Sequence, residues 1–323
     1  MAEFMIVSKT EDGTRLLRWF LRHFPSMPQR EFYKLCRGGQ IRVNSGRVRG
    51  QEILCAGDAV RIPPTIAGYT KEKQKKTESG EAFSLADLEV LRKCIIHNDE
   101  DIVVFNKPAG LAVQGGTGIR KSIDKMAAAL FPYDKISLVH RLDKETSGLL
   151  VVAKNHRAAQ SLSEQFQTKN ARKEYLALLH GDVNPKSGLI DNYMLKGQVF
   201  ESATRLKDGT GPRPQRAITE YNVLSNAAGC VSWVKFSPKT GRTHQLRLHS
   251  AITLNAPIVG DTLYGKQKTV NNELAALLET NNLFLFAYKL TFQHPSTGRM
   301  ISLRAMVPEF MVPVIKFLEL KMP

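Results

Sequence analysis

The chain has 323 residues, 42% of them apolar, which is enough for about two domains and a sizeable core. Its formal net charge of +16 fits a polyanionic partner, nucleic acid above all. No apolar run of about 18 residues occurs, and no long apolar core follows a basic start, so the sequence speaks against a membrane span and a signal peptide. Four widely spaced cysteines form no metal-type pair, which is the usage of free thiols in a reducing cytoplasm.

The positive charge is concentrated near the N-terminus. Between Arg15 and Arg49 stand nine Lys or Arg and one acid, Glu31. "RLLRWFLRHF" places Leu16, Leu17, Phe20, Leu21 and Phe24 on one helical stripe, with arginines on the other faces. In "PSMPQREFYKLCRGG", Pro28 suits a first-turn position, Phe32, Leu35 and Cys36 form the stripe, and Gly38-Gly39 end the helix. "QIRVNSGRVRG" alternates Ile41, Val43 and Val48 around an Asn-Ser-Gly turn, as a hairpin does. "LCAGDAVRIPP" adds a turn and a short strand. Residues 12–64 therefore form a small basic α/β module. The charge-rich, apolar-poor stretch after it reads as a solvated linker over 65–93.

Residues 94–323 form the second domain. "DIVVFNKPAG" is a buried strand ending in a Pro-Gly turn, "SIDKMAAALF" a helix, "GLLVVA" a strand and "HRAAQSLSEQFQ" a helix. "RKEYLALLHG", "AITEYNVL" and "VSWVKFSP" are strands. "GRTHQLRLHSAI" has helical periodicity, and "LFLFAYKLTFQHP" with "MISLRAMVP" makes a late hairpin. Strands joined by short turns predict an α+β domain with a mixed, largely antiparallel sheet.

Familiar motifs fail. "QGGTG" lacks the spacing of a dinucleotide or triphosphate loop. "HRLD" lacks the partners of a kinase catalytic loop, and "TSG" is not a hydrolase elbow. His244 and His249, five apart with no Glu between them, lack zinc spacing, so no metal is expected. What remains is Asp143, set beside Arg141, Thr146 and Ser147 at the mouth of an apolar strand. A turn aspartate that caps backbone amides is common. Downstream, however, Arg242, His244, Arg247 and His249 crowd one short stretch. A guanidinium there can pair with a carboxylate and hold it ionised, and an ionised carboxylate can act as a nucleophile.

"NKPAG", "HRLDKETSGLLVVAK", "RKEYLAL" and "TGRTHQLRLH" together resemble the RluA/RluC/RluD family of RNA pseudouridine synthases, and within it the RluC type that acts on large-subunit ribosomal RNA. The N-terminal module resembles the S-four-type RNA-binding domain through Arg15-Leu16, "GGQIRVN" and Gly57-Asp58. With both, the likeness spans essentially the whole chain; Gln114 stands where relatives can carry His. The resemblance implies that Asp143 is the catalytic carboxylate and that Arg247 pairs with it. It implies that Tyr175 stacks on the flipped uracil and can assist proton removal from carbon 5. Arg141 would fill the space left by the extruded base or contact the RNA backbone. Thr146, Ser147 and Gly148 would shape the turn, with Gly148 also letting RNA approach. Further RNA contacts are expected from Arg15, Arg30, Lys34, Arg37, Arg42, Arg242 and His244. The resemblance implies no cofactor, a monomer, and large-subunit ribosomal RNA or its precursor particle as partner. Other readings stay open on the residues alone: a non-catalytic RNA-binding factor, a transfer-RNA substrate, and a glycosidase. The last would need a second carboxylate about 5–10 Å from the first.

Overall fold

In a computed structural model of the chain, the described residues are 3–8, 11–24, 27–69, 84–116, 119–195, 197–201, 213–227, 229–265 and 282–323, without the side chains of 67–69. The chain divides into two compact units, Met1–Ala82 and Phe83–Pro323.

The first unit contains β1 (Glu3–Ile6), α1 (Leu16–His23), α2 (Gln29–Arg37), β2 (Arg42–Val43), β3 (Gly46–Arg47) and β4 (Ala59–Ile62). The strands form an antiparallel sheet in the order β1-β4-β2-β3. Leu16, Phe20 and Phe24 of the expected α1 stripe are buried, but so is Trp19, which the stripe omitted. Trp19, Phe20 and Phe32 are fully buried. Each large side chain so buried contributes about 1.5–3 kcal/mol by removal from water. The Asn-Ser-Gly hairpin forms as expected, with Asn44 and Ser45 both at positive φ between β2 and β3, the geometry of a two-residue turn matched to strand twist.

The second unit contains α3 (Leu85–Lys93), β5 (Ile95–Asn98), β6 (Ile102–Lys107), α4 (Ile123–Leu130), β7 (Ser137–Leu138), β8 (Ser147–Ala153), α5 (His156–Gln167), β9 (Arg172–His180), β10 (Ser187–Leu195), β11 (Gln198–Phe200), β12 (Gln215–Ala227), β13 (Val231–Pro238), α6 (Gln245–Leu248), β14 (Leu285–Gln293), β15 (Met300–Arg304) and α7 (Val312–Phe317). The sheet runs β11-β10-β12-β13-β9-β14-β8-β6-β5, with β15 beside β14 and β7 beside β8. It is antiparallel except where β14 runs parallel to β8. This is the α+β, largely antiparallel architecture the sequence predicts.

Both faces of the central strands are covered, because side chains alternate along a strand. Ile102, Val104, Leu149, Val151 and Ala153 share one core with Ala158 and Leu162 of α5. Val103, Phe105, Leu150 and Val152 share the other with Leu91 of α3 and Ile123, Met126 and Ala127 of α4.

The domain limits differ from those expected. β1 precedes residue 12 and belongs to the first unit, while α3 lies inside the stretch read as a linker. α3 forms because Ser84 and Asp87 make a reciprocal cap: the Ser84 hydroxyl accepts from the Asp87 amide, and the Asp87 carboxylate accepts from the Ser84 amide. Residues 70–83 of the expected linker lie outside the described residues. β10 and β11 went unanticipated, and "SGLIDNYML" shows why. Its first three residues are exposed, so apolar alternation is absent where it would have been sought.

Gly148 also departs from expectation. It carries φ +102, and a Cβ there would lie within 2.6 Å of the Ala287 nitrogen and closer still to its carbonyl oxygen. The space a side chain would need is taken by the β14 backbone. Gly148→Ala should therefore lose roughly 3 kcal/mol or more through strain and backbone displacement. Gly110→Ala, at φ +82 with nothing within 4 Å, should lose only about 1 kcal/mol. Urea denaturation of the two variants checks this; equal losses would mean that packing against Ala287 is unimportant.

Candidate active site

The register of the large sheet gathers three separated motif segments into one row. Lys107 on β6 pairs with Gly148 on β8, Gly148 with Ala287 on β14, and Ala287 with Tyr175 on β9. Asp143 precedes β8 in a turn closed by a bond from the Thr146 amide to the Asp143 carbonyl. That turn is held from below. The Lys144 carbonyl accepts from the Gly110 amide and from the Lys107 ammonium, both at 2.9 Å. Lys107 is 1% exposed, and its Nζ also donates to the Pro108 and Leu111 carbonyls. Burial lowers the Lys107 pKa against the opposing charges of Glu145 and Asp143, to about 7. Three carbonyl acceptors match the three protons of an ammonium, so this geometry belongs to the charged form.

Asp143 opens on a cleft of about 510 Å³, lined also by Arg141, Tyr175, Arg242, Arg247, Lys173 and Leu285. Asp143 is half-buried and Arg141 is exposed at the mouth. Burial and then the charge of Asp143 push the Tyr175 hydroxyl well above its ordinary pKa. Tyr175 therefore stays protonated. It offers a ring face and an O–H donor, and the expectation that it helps to remove a proton as a base finds no support in its electrostatics.

Arg247 is corrected as well. Its guanidinium is aimed not at Asp143 but at Asp261, with Nε 2.8 Å from Oδ2 and an Nη 2.6 Å from Oδ1. The pair is buried, with side chains 3% and 0% exposed. Asp261 holds the fork with its carboxylate also fixed from the other side, its Oδ1 accepting the Leu263 and Tyr264 amides. Burial pushes the Arg247 pKa down, but the bonds and charge of Asp261, and then the charge of Asp143, raise it overall. The charge of Asp143 is felt at Arg247 with no hydrogen bond between them.

Among the described residues, His244 is the cation-forming group nearest Asp143, with Nε2 4.0 Å from Oδ1. It stands at φ +54 just before α6, and its Nδ1 lies 2.8 Å from the Tyr264 hydroxyl. The helix expected over "GRTHQLRLHSAI" begins only after this residue and continues through His249–Thr253 as a wider π-helical turn. Arg242 is exposed; its Nε donates to the Arg216 carbonyl, leaving the rest of its guanidinium toward the cleft. His249 is buried between Thr219 and Asn192, and burial lowers its pKa to about 4. His140 accepts from the Val151 amide and stacks on Phe166; burial and then Lys173 bring its pKa to about 3. Both are neutral structural imidazoles.

In the first unit, Arg15, Arg30, Lys34 and Arg37 are exposed and Arg42 is half-buried. Arg30, Lys34 and Arg37 recur on α2 at a spacing that shares one face.

The sequence reading missed Lys107, Lys173, Asp261 and Tyr264. Lys107 stood in plain view within "NKPAG". Asp261 and Tyr264 lie in "GDTLYG", which has the glycines of a fixed turn. One metal-type cluster, Asp99, Asp101 and His294, occurs among the described residues. The His294 Nδ1 accepts the Ser296 and Thr297 amides, so its Nε2 carries the proton and donates to Asp99. That ring has no lone pair left for a cation.

The chain matches the model of the RNA pseudouridylate synthase family over residues 101–251. It is 32% identical to the ribosomal large subunit pseudouridine synthase C of Haemophilus influenzae, over 97% of this chain and 94% of that protein. It is 34% identical to the protein of that name from Yersinia pestis, over 94% and 92%. Among solved structures it resembles human RNA pseudouridylate synthase domain containing 4, with a TM-score of 0.63 at 30% identity over 73% of this chain and 97% of that one.

Removing the carboxylate beneath Arg247 tests the buried pair. Asp261→Asn should cost about 3–5 kcal/mol, since it strands a buried guanidinium. The Asp261 pKa is lowered from 3.8, so its contribution is present above pH about 4 and lost as pH falls below that. Wild-type stability should fall through this acid window more steeply than that of the variant. Parallel stability–pH curves would show that the pair contributes nothing.

Proposed function

The chain belongs to the RNA pseudouridylate synthase family, and on that premise we propose that it isomerises specific uridines to pseudouridine in large-subunit ribosomal RNA, with Asp143 as the catalytic carboxylate. The observation that carries this reading is the placement of Asp143: at the floor of a cleft, on a turn braced by Lys107, with the Tyr175 ring, Arg247 and His244 around it.

The reaction breaks the bond between the ribose anomeric carbon and uracil N1, and joins the same carbon to C5. One proton leaves C5 and one is gained at N1, so nothing is oxidised and no water is consumed. The target atoms are inaccessible in a stacked base, and extruding the nucleotide costs about a few kcal/mol. Arg141, exposed at the mouth, is placed to meet the backbone or the vacated space. Arg242 and Lys173 add positive charge where phosphates would pass. The neutral Tyr175 supplies a face on which the uracil can turn.

Asp143 must be ionised, whether it attacks the anomeric carbon or takes the 2′ proton. An RNA backbone works against this, because its phosphates favour protonation. The Arg247 guanidinium opposes that field, and the His244 ring stands 4.0 Å from the carboxylate. The buried Asp261 keeps Arg247 from collapsing onto Asp143, which leaves the carboxylate free to react. The RNA class follows from the likeness to large-subunit synthases and from the basic first unit. Under this proposal that unit is the S-four-type RNA-docking domain.

Asp143→Asn keeps the size of the side chain and loses its nucleophilicity and basicity. It should abolish pseudouridine formation on large-subunit RNA, read as carbodiimide-resistant adducts, while RNA affinity changes less than about threefold. Substantial turnover by a folded Asp143→Asn protein would remove Asp143 from the mechanism. In a strain lacking the protein, pseudouridines should disappear from large-subunit RNA; their loss from transfer RNA instead would overturn the substrate.

A further inference from the structure

The first unit carries a row of side chains that its own packing does not explain. Strand register sets Phe4 of β1 opposite Arg61 of β4, Arg61 opposite Arg42 of β2, and Arg42 opposite Arg47 of β3. Directly opposed residues point to the same face, so the row crosses all four strands on one side. The neighbouring row, with Val60 and Val43, faces the core. The arginine row therefore faces outward, and Phe4 on it is 54% exposed.

Three like charges opposed across a sheet are destabilising, and here nothing neutralises them. Among the described residues, no carboxylate lies within ion-pair distance of Arg42, Arg47 or Arg61. Most of the unit's described acids have partners elsewhere, Glu31 on Lys34 among them. Asp58 accepts from Asn44 and the Cys55 amide, Glu52 from the Arg49 and Gly50 amides, Asp12 from the Ala56 amide, and Glu11 faces His23. The guanidiniums also converge. Arg42 Nε donates to the Gly39 carbonyl and Arg61 to the Gln40 carbonyl. An atom at the Cβ position of Gly39 would lie 3.4 Å from Arg47 Nε and 3.8 Å from an Arg42 Nη. Backbone carbonyls thus aim Arg42 and Arg61, while Arg47 keeps all its donors free of protein partners among the described residues.

We propose that this outer face is a track for single-stranded RNA, with Arg61, Arg42 and Arg47 on successive phosphates and Phe4 beneath a base. A row of guanidiniums ending in an exposed aromatic combines the two elements by which single strands are held, backbone charge and ring stacking. Ile6, 63% exposed two residues along β1 on the same face, extends the apolar end. The inference rests on the reading of this unit as an RNA-docking domain and adds Arg47, Arg61 and Phe4 to it.

The test uses the full-length protein and fluorescence anisotropy with an oligouridine of about twelve nucleotides, and with an RNA duplex of equal length, over a series of salt concentrations. Each single-strand phosphate contact contributes about 0.7 to the slope of log affinity against log salt. Arg47→Gln is the safe variant, because Arg47 makes no hydrogen bond within the unit that its loss would break among the described residues. It should lower the slope by about 0.7, and the triple glutamine variant by about 2. The triple lysine variant should keep the slope. Phe4→Ala should weaken binding roughly tenfold at an unchanged slope, and Phe4→Trp should restore it. An unchanged slope in both glutamine variants would overturn the proposal, as would losses on the duplex equal to those on the single strand. Pseudouridine formation by the wild-type protein is measured alongside. If it occurs while the slopes stay unmoved, only the track falls; if the slopes move and no pseudouridine forms, the track stands and the enzymatic reading falls.

Discussion

The row Lys107–Gly148–Ala287–Tyr175 is the constraint on which the second unit depends. Four strands must be in register for it to exist, and one of its pairs is the parallel contact between β14 and β8. Gly148 permits that contact, because any side chain would enter the Ala287 backbone. Once it is made, the turn before β8 is delivered to the end of β6, where Lys107 and Gly110 hold the Lys144 carbonyl. Asp143 inherits its position from backbone bonds one residue away, which is the kind of rigid support a reacting carboxylate requires.

Charge is arranged in two layers around that carboxylate. Beneath it, an ammonium and a guanidinium are buried and held by protein acceptors: Lys107 by three carbonyls, Arg247 by two bonds to Asp261. Fixed in place, they contribute potential without competing for the carboxylate's lone pairs. Above it, Arg141 and Arg242 are exposed and carry most of their donors outward. A buried pair such as Arg247–Asp261 adds little net stability for its desolvation. Its value here is geometric: Asp261 also fixes Tyr264, which reaches His244, which faces Asp143.

The two units treat their surplus of positive charge differently. In the second, the cations close to Asp143 are tied down to organise one acid. In the first, most described acids are spent on turns, on His23 and on Lys34, and no described carboxylate pairs with the arginines on the outer face of the four-stranded sheet. Under the two proposals, the first unit holds an extended polyanion and the second works on a single nucleotide of it.

The sequence by itself determined the elements and the motif residues. Helices α1, α2, α4 and α5, the core strands and the Asn-Ser-Gly hairpin follow from periodicity and turn chemistry, which are local. Asp143 and Arg247 stood out because polar groups crowd two short stretches beside apolar runs, whereas Tyr175 was singled out only by the family resemblance. The tertiary structure alone decided which groups meet. Arg247 was expected to fork onto Asp143, yet Asp261, fourteen residues further on, holds it, because only the folded turn at 261–264 preorients that carboxylate with two amides. Lys107 looked like an ordinary lysine until β6 was laid beside β8. Gly148 looked like space for RNA until β14 filled it. Arg61 and Arg47 lie fourteen residues apart, and only strand register sets them on either side of Arg42. Pairings of this kind depend on chain closure over long separations, to which a local pattern is blind.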